Sequence, residues 1–205
     1  MKAVVFITFM VLLISCTTQD CECAFSSEVI VGSGEVITKT FDVDDFISVS
    51  ILSFTDIKIE TGKQQSVTIS GQKNIMELLQ VGVGSKNLDL SFPDNQDIRP
   101  TEDLTAIISM PDALEAFSFV GLAEIELTGE AQTDLAVNIT GSANFNSVDL
   151  PVDKVVINWV GEGSATVWSI EQLILNCTGV FDIKYKGEPT ITNNSVGTVT
   201  VDPIS

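Results

Sequence analysis

The sequence contains no histidine, and Arg99 is its only arginine. The absence of histidine excludes Ser-His-Asp and Cys-His catalysis and histidine-based metal sites. With one arginine, phosphate clamps and arginine-assisted lyase chemistry are hard to build. No P-loop or dinucleotide-binding fingerprint is present. The sequence therefore predicts a protein that is not an enzyme and has no cofactor and no metal site.

Basic residues are scarce throughout: 10 Lys and Arg stand against 28 Asp and Glu, a formal net charge of −18. Such a chain is repelled by nucleic acid, so a nucleic-acid partner is excluded. Hydrophobic residues make up 44% of the 205 residues, which excludes a disordered chain. This length allows one long all-β domain with a sizeable core.

No apolar run at the N-terminus approaches the roughly 20 residues that a spanning helix needs. Lys2 precedes a short apolar run, Ala3 to Ile14, which has the length of a signal-peptide core. The run ends in Leu13-Ile14-Ser15-Cys16, which resembles the bacterial lipobox, whose cysteine is acylated and becomes the first mature residue. The alternative is an ordinary cleaved signal with a chance cysteine.

These features predict a signal peptide over 1–15, a tether over 16–34 and a β domain over 35–205. The predicted membrane partner is the bilayer that holds the acyl chains on Cys16, since stable anchoring needs more than one chain. Thr17 stands where an aspartate would retain some lipoproteins at the inner membrane, which favours the outer membrane of a Gram-negative bacterium. Cys21 and Cys23 lie in the tether, and we interpret them as an incidental pair because two thiols alone are a poor metal site.

From Phe41 onward, apolar and polar residues alternate with period two, as in Ile47 to Ile51 and Ile57 to Ile59. This alternation predicts strand after strand. The one helix-like candidate is a short turn near Ile75 to Leu79. The predicted fold class is all-β.

The second half of the chain repeats. Five glycines mark the repeats, at spacings of 20, 20, 18 and 18 residues: Gly121, Gly141, Gly161, Gly179 and Gly197. Positions two, four and six before each glycine are mostly apolar and predict the core side of a strand, with Trp159, Cys177 and Ile139 among them. To keep the columns after the glycine in register, the third repeat needs a two-residue insertion, Glu162-Gly163.

A repeat of this length made of short strands and turns predicts a single-stranded parallel β-helix (β-solenoid) of about five coils. A glycine at each corner would permit positive φ or close approach of neighbouring coils. The rival is a meander barrel or a sandwich. The N-terminal half is predicted to contribute additional strands that pack on the repeat or continue it.

Positions one, three and five before the glycines alternate with the core columns and predict an outward surface, which we call the Asn face. None of its fifteen residues is charged. Its candidate binding residues are Asn138, Asn158, Asn176, Asn194, Thr140 and Thr178. Outward residues after the glycine are charged instead, as at Glu124 and Lys184. An uncharged face on so acidic a chain suggests that something covers it: either a protein or glycan ligand, or the chain's own segment Phe41 to Pro111.

The chain also resembles the auto-transporter adhesin head GIN domain family, exported proteins abundant in Bacteroidetes. The resemblance begins at Lys39 to Phe46 and Ile57 to Gly62 and runs through Met110-Pro111. It is clearest in Thr140 to Ala143, Glu162 to Ala165 and Tyr185 to Pro189. It implies a parallel β-solenoid and a surface or envelope role, in a family without a recognised catalytic motif.

Three functions follow as hypotheses. The leading one is an exported, non-catalytic envelope lipoprotein that binds protein or glycan. The second is a carbohydrate-active β-helix enzyme using paired carboxylates. The third is a purely structural envelope protein.

Overall fold

A computed structural model describes residues 28–204, and within them the fold is all-β. The N-terminal half contains β1 Glu28–Val31, β2 Val36–Phe41, β3 Ser48–Leu52, β4 Asp56–Thr61, β5 Ser66–Gln72, α1 Lys73–Met76, β6 Gln80–Gly84, β7 Asn87–Ser91, β8 Gln96–Arg99 and β9 Thr105–Met110. The repeat half contains β10 Ala116–Thr128, β11 Gln132–Lys186, β12 Thr190–Asn193 and β13 Val196–Pro203. Within residues 28–204, no helix has the length and apolar character needed to cross a bilayer.

Successive repeats pair in parallel and in register, as the glycine spacing predicted. Ala116 pairs with Ala136 and Gly121 with Gly141, an offset of twenty residues. At the other end Gly179 pairs with Gly197, an offset of eighteen. Because the offset equals the repeat length, equivalent side chains of neighbouring repeats lie side by side.

The glycine column exists because neighbouring backbones approach closely at this point. A Cβ atom on Gly161 would overlap the carbonyl oxygen of Gly141, and Gly141 meets the carbonyl of Gly121 in the same way. Gly161 also has φ of 138°, a conformation that other residues rarely adopt. The predicted reason for the glycines, positive φ and close approach, is confirmed.

The predicted insertion at Glu162-Gly163 is wrong. Ser142 donates a hydrogen bond to Glu162, and Ser164 donates one to Asn144, so the third repeat keeps the offset of twenty residues. Gly163 therefore lies beside Ala143 and occupies a core position without a side chain.

The indole of Trp159 fills the space that a side chain at position 163 would take. Its Cζ2 atom lies 2.8 Å from where a Cβ on Gly163 would stand. The indole Nε1 donates to the carbonyl oxygen of Gly141 over 3.1 Å, and the ring centroid lies 4.9 Å from that of Phe181. One large side chain thus compensates for a missing one in the adjacent column.

The predicted core columns are buried. Ile139, Ile157, Trp159 and Cys177 are each at most 2% exposed. Burial raises the pKa of the Cys177 thiol, because desolvation disfavours the thiolate. The interpretation of Cys177 as a small buried residue is confirmed.

The N-terminal half continues the sheet edge to edge. β3 pairs in parallel with the first part of β10, Ser48 opposite Ala116, and β4 pairs with the second part, Asp56 opposite Glu124. Beyond them the pairing is mixed: β7 and β9 add in parallel, while β2, β5 and β6 add antiparallel. Of the two arrangements expected for this half, it adopts the one that continues the repeat.

Candidate ligand-binding faces

A ladder of side-chain amides runs along the Asn face. Asn158 Nδ2 donates to Asn138 Oδ1 over 2.9 Å, and Asn176 Nδ2 donates to Asn158 Oδ1 over 2.8 Å. Asn194 continues the ladder with a bond of 2.9 Å to Asn176, and Asn138 reaches Ser118 Oγ over 3.4 Å. The parallel in-register pairing places one amide beside the next, so the ladder follows directly from the repeat.

The ladder leaves hydrogen-bonding capacity free. A side-chain amide has two N–H donors and an oxygen with two lone pairs. Asn158 uses one donor toward Asn138 and one lone pair toward Asn176. Within residues 28–204, one donor and one lone pair of each inner asparagine take part in no hydrogen bond, on side chains that the ladder already holds in place.

The Asn face is open to solvent. Val120, Val160 and Val196, from its column next to the glycines, are 48%, 56% and 67% exposed. Thr140 and Thr178 of the same column are exposed as well. The alternative in which the segment Phe41 to Pro111 covers this face is wrong, because β3 of that segment pairs beside the face and lengthens it.

The uncharged surface extends into the N-terminal half. Ser50 stands opposite Ser118, and Leu52 opposite Val120. The next strand outward places Asp89 opposite Ser50, the first carboxylate on this row. The uncharged face therefore spans the five repeats and β3.

A second surface lies on the other side of the glycine column. Asn144 donates to Glu124, Ser164 donates to Asn144 over 2.8 Å, and Thr200 donates to Asp182 over 2.8 Å. The predicted charged character of this side is confirmed for Glu124 and Asp182, which are both exposed.

This second surface contains a groove that the sequence did not predict. The groove has a volume of about 620 Å³ and crosses four repeat boundaries, from Leu122 to Thr198. Leu122 and Val180 in its lining are 71% and 59% exposed. Two large apolar residues at outward positions on this charged side were the signal that could have indicated it. We call it the glycine groove.

Within residues 28–204, no three or more His, Cys, Asp and Glu side chains are grouped so that they could hold a metal ion. The predicted acylation site, Cys16, and the pair Cys21 and Cys23 lie outside the described residues. Their roles stay predictions from sequence.

Similarity to known proteins agrees with the fold. No curated protein matches the chain. The crystal structure of a protein from Bacteroides fragilis named "putative adhesin" superposes with a TM-score of 0.55 at 22% identity, covering 85% of this chain and 100% of its own. That of a "putative lipid binding protein" from Parabacteroides distasonis gives a TM-score of 0.51 at 16% identity, covering 87% and 100%.

At these identities the two structures show a shared fold only. A family model matches residues 45–146 and again 116–189 of this chain, and it is described as "putative auto-transporter adhesin, head GIN domain". These matches span the N-terminal half from β3 onward and most of the repeat. The chain therefore belongs to the head GIN domain family.

Proposed function

We propose that this protein is an exported, lipid-anchored, non-catalytic binding protein of a Gram-negative cell envelope. Membership in the head GIN family supports a surface role, because the family's description names it an adhesin domain. The sequence through Cys16 supports an acyl anchor, and the outer membrane is its proposed location. The binding function rests on the Asn face.

The repeats are proposed to form successive coils of a parallel β-solenoid. Meander barrels and sandwiches join consecutive strands by antiparallel pairing. Here β10 with β11, and β11 with β12 and β13, pair in parallel at the repeat offset. The amide ladder adds side-chain contacts at that same offset. This arrangement would display a flat face of constant chemistry to a ligand.

The observation that carries the function is one open, uncharged face on a chain of formal charge −18. Solubility alone favours charge on such a surface, yet fifteen outward residues carry none. The free amide donors and acceptors would recognise hydroxyls of a glycan or backbone groups of a protein. The valines and threonines between them would exclude water from the contact.

Binding is tested with Val160→Arg, which places a charge in the face and leaves the ladder intact. The purified protein is applied to arrayed glycans and to immobilised surface proteins. We expect wild-type binding to at least one of them, loss of that binding in Val160→Arg, and an unchanged unfolding midpoint. Thr133→Arg makes the same charge change at an exposed position away from the face, and it should bind as wild type. Equal loss in both variants would contradict the assignment.

Anchoring is tested separately by labelled palmitate in cells. Label should enter the wild-type protein and not Cys16→Ala. Equal labelling of both would contradict the lipoprotein proposal without touching the binding face.

The non-catalytic character has its own test against the paired-carboxylate alternative. The purified protein should release no product from polysaccharides above the blank. Turnover that disappears on substitution of one acidic pair would favour the enzyme, and absence of both turnover and binding would favour a structural role.

A further inference from the structure

We propose that the glycine groove binds an extended peptide segment of another protein, with one basic side chain placed between two apolar ones. The groove lies on the opposite side of the glycine column from the Asn face, so the proposal stands apart from the proposed function. Three properties of the groove carry it: two exposed apolar residues, carboxylates between and beside them, and a spacing that suits a short strand.

The two exposed apolar residues of the groove are Leu122 in the first repeat and Val180 in the fourth. Both side chains are more than half exposed, while the groove floor between them is formed by small residues and Phe181. Exposed leucine and valine three repeats apart in one groove offer places for two apolar side chains of a ligand.

Two carboxylates line the groove: Glu162 lies between Leu122 and Val180, and Glu124 lies beside Leu122. Ser142 Oγ donates to Glu162 Oε1 over 3.4 Å, and the amide of Asn144 holds Glu124, so both carboxylates are oriented by neighbours. Within residues 28–204, no lysine or arginine forms an ion pair with either of them; Asp182, farther along the rim, lies 3.8 Å from Lys184. The groove therefore offers negative charge that this part of the chain does not compensate.

The spacing of these two residues selects an extended occupant. Three repeats separate Leu122 from Val180, and neighbouring strands lie about 4.8 Å apart, which gives about 14 Å between the two residues. Glu162 lies between them, about 10 Å from Leu122 and about 5 Å from Val180 on the same spacing. In an extended peptide, residues i and i+4 are about 13 Å apart and point to the same side, as does residue i+2 between them. When the ends of a segment apolar-x-basic-x-apolar meet Leu122 and Val180, its basic residue thus stands about 3 Å short of Glu162 along the groove, which a long lysine or arginine side chain can span.

The negative charge of the groove favours a peptide with a basic residue over a second copy of this chain as the occupant. A second copy carries the same formal charge of −18 and would be repelled by the groove. A peptide segment with a lysine or arginine is attracted to the groove. An arginine can also donate two parallel N–H hydrogen bonds to one carboxylate.

The test uses two blocked peptides, acetyl-Leu-Ser-Arg-Ser-Leu-amide and its counterpart with glutamate in place of arginine. Binding to the whole protein is followed by shifts of backbone amide resonances. We expect the arginine peptide to bind more tightly than the glutamate peptide and to shift the amides of Leu122, Glu162 and Val180. Glu162→Gln should weaken the arginine peptide by about two- to five-fold, the effect of one exposed ion pair.

Glu188→Gln is the matched control, since it removes one exposed carboxylate outside the groove and should leave the affinity unchanged. Val180→Ser should weaken both peptides. Equal affinity for the two peptides would overturn the proposal, because it would show apolar contact without charge recognition. Absence of binding, or resonance shifts confined to the Asn face, would overturn it as well.

Discussion

Apart from the separate pair of β1 and β8, the two halves of this protein build one sheet in different ways. In the repeat half, each residue pairs in parallel with the residue twenty or eighteen positions away in the next repeat. In the N-terminal half, the separations vary: Val36 pairs with Gln72 antiparallel, while Ser48 pairs with Asn87 in parallel. A constant offset makes like residues neighbours, and it therefore makes the side-chain columns visible in the sequence. Varied offsets hide the same kind of sheet.

The difference extends to the glycines. From Gly141 onward, the glycines of the column lie against the carbonyl oxygen of the glycine one repeat earlier. Within residues 28–204, no atom lies within 4 Å of the place of a Cβ on Gly82 or Gly84 in β6. The same residue type is thus a packing requirement in the glycine column and a replaceable residue in β6. Substitutions in the two halves should therefore differ in their effect on stability.

The largest effect is expected from a charge in the core of the repeat half. Ile157→Asp or Ile139→Asp buries an unpaired carboxylate between two neighbouring repeats and should cost about 3–5 kcal/mol of unfolding free energy. Glu124→Lys, on the outward side, should change it by no more than about 0.5 kcal/mol. The urea unfolding midpoints of the three variants, compared with that of the wild type, measure these differences.

Both tryptophans, Trp159 and Trp168, lie in the repeat half, so their emission reports on that half while circular dichroism reports on the whole sheet. We expect the emission transition to shift at least as far as the dichroism transition. Similar small shifts for all three variants would mean that these columns do not face the core.

The contrast between glycines is tested by alanine substitution. Gly161→Ala forces a Cβ against the carbonyl of Gly141 at positive φ, and it should cost about 2 kcal/mol or more. Gly82→Ala meets open space and should stay within about 0.5 kcal/mol, with a gain possible from the lower entropy of the unfolded chain. Equal midpoints for the two variants would contradict the close approach of the repeats.

The smallest effect concerns Cys177. Burial raises the pKa of its thiol above the ordinary 9.0, so the folded state keeps the proton while the unfolded state loses it. The contribution to stability is fully present below pH 9 and falls as pH rises above it. Between pH 8.5 and 10.5 the unfolding free energy should therefore fall more steeply for wild type than for Cys177→Ala. Parallel slopes would show that the thiol is not desolvated.

The repeat half could be read from the sequence because its contacts repeat. The glycine column, and the burial of Ile139, Ile157 and Cys177, could be predicted by counting positions from one repeat glycine to the next. The register after Gly161 could not be read in this way. Gly163 looked like an inserted residue because Ala165, two positions later, is the same residue type as Ala143. Aligning these two alanines requires an insertion of two residues. In the structure Trp159, from the other side of the glycine, supplies the missing volume.

Other features depend on contacts between distant residues. The pairing of β3 with both β7 and β10 joins Ser48 to Asn87 and to Ala116, and no local pattern encodes either separation. The openness of the Asn face depended on that pairing, since the same strands could have lain across the face. The glycine groove depends on the outward positions of Leu122 and Val180 from repeats three units apart.

The amide ladder also has a direction. All four of its bonds run the same way, with each asparagine donating to the repeat before it, from Asn194 back to Ser118. The dipoles of the side-chain amides therefore add along the stack, and each bond polarises the next. A surface without a single formal charge thus carries an electrical polarity parallel to its length. A bound chain with a dipole of its own would meet two unequal orientations on this face, and the ladder would select one of them.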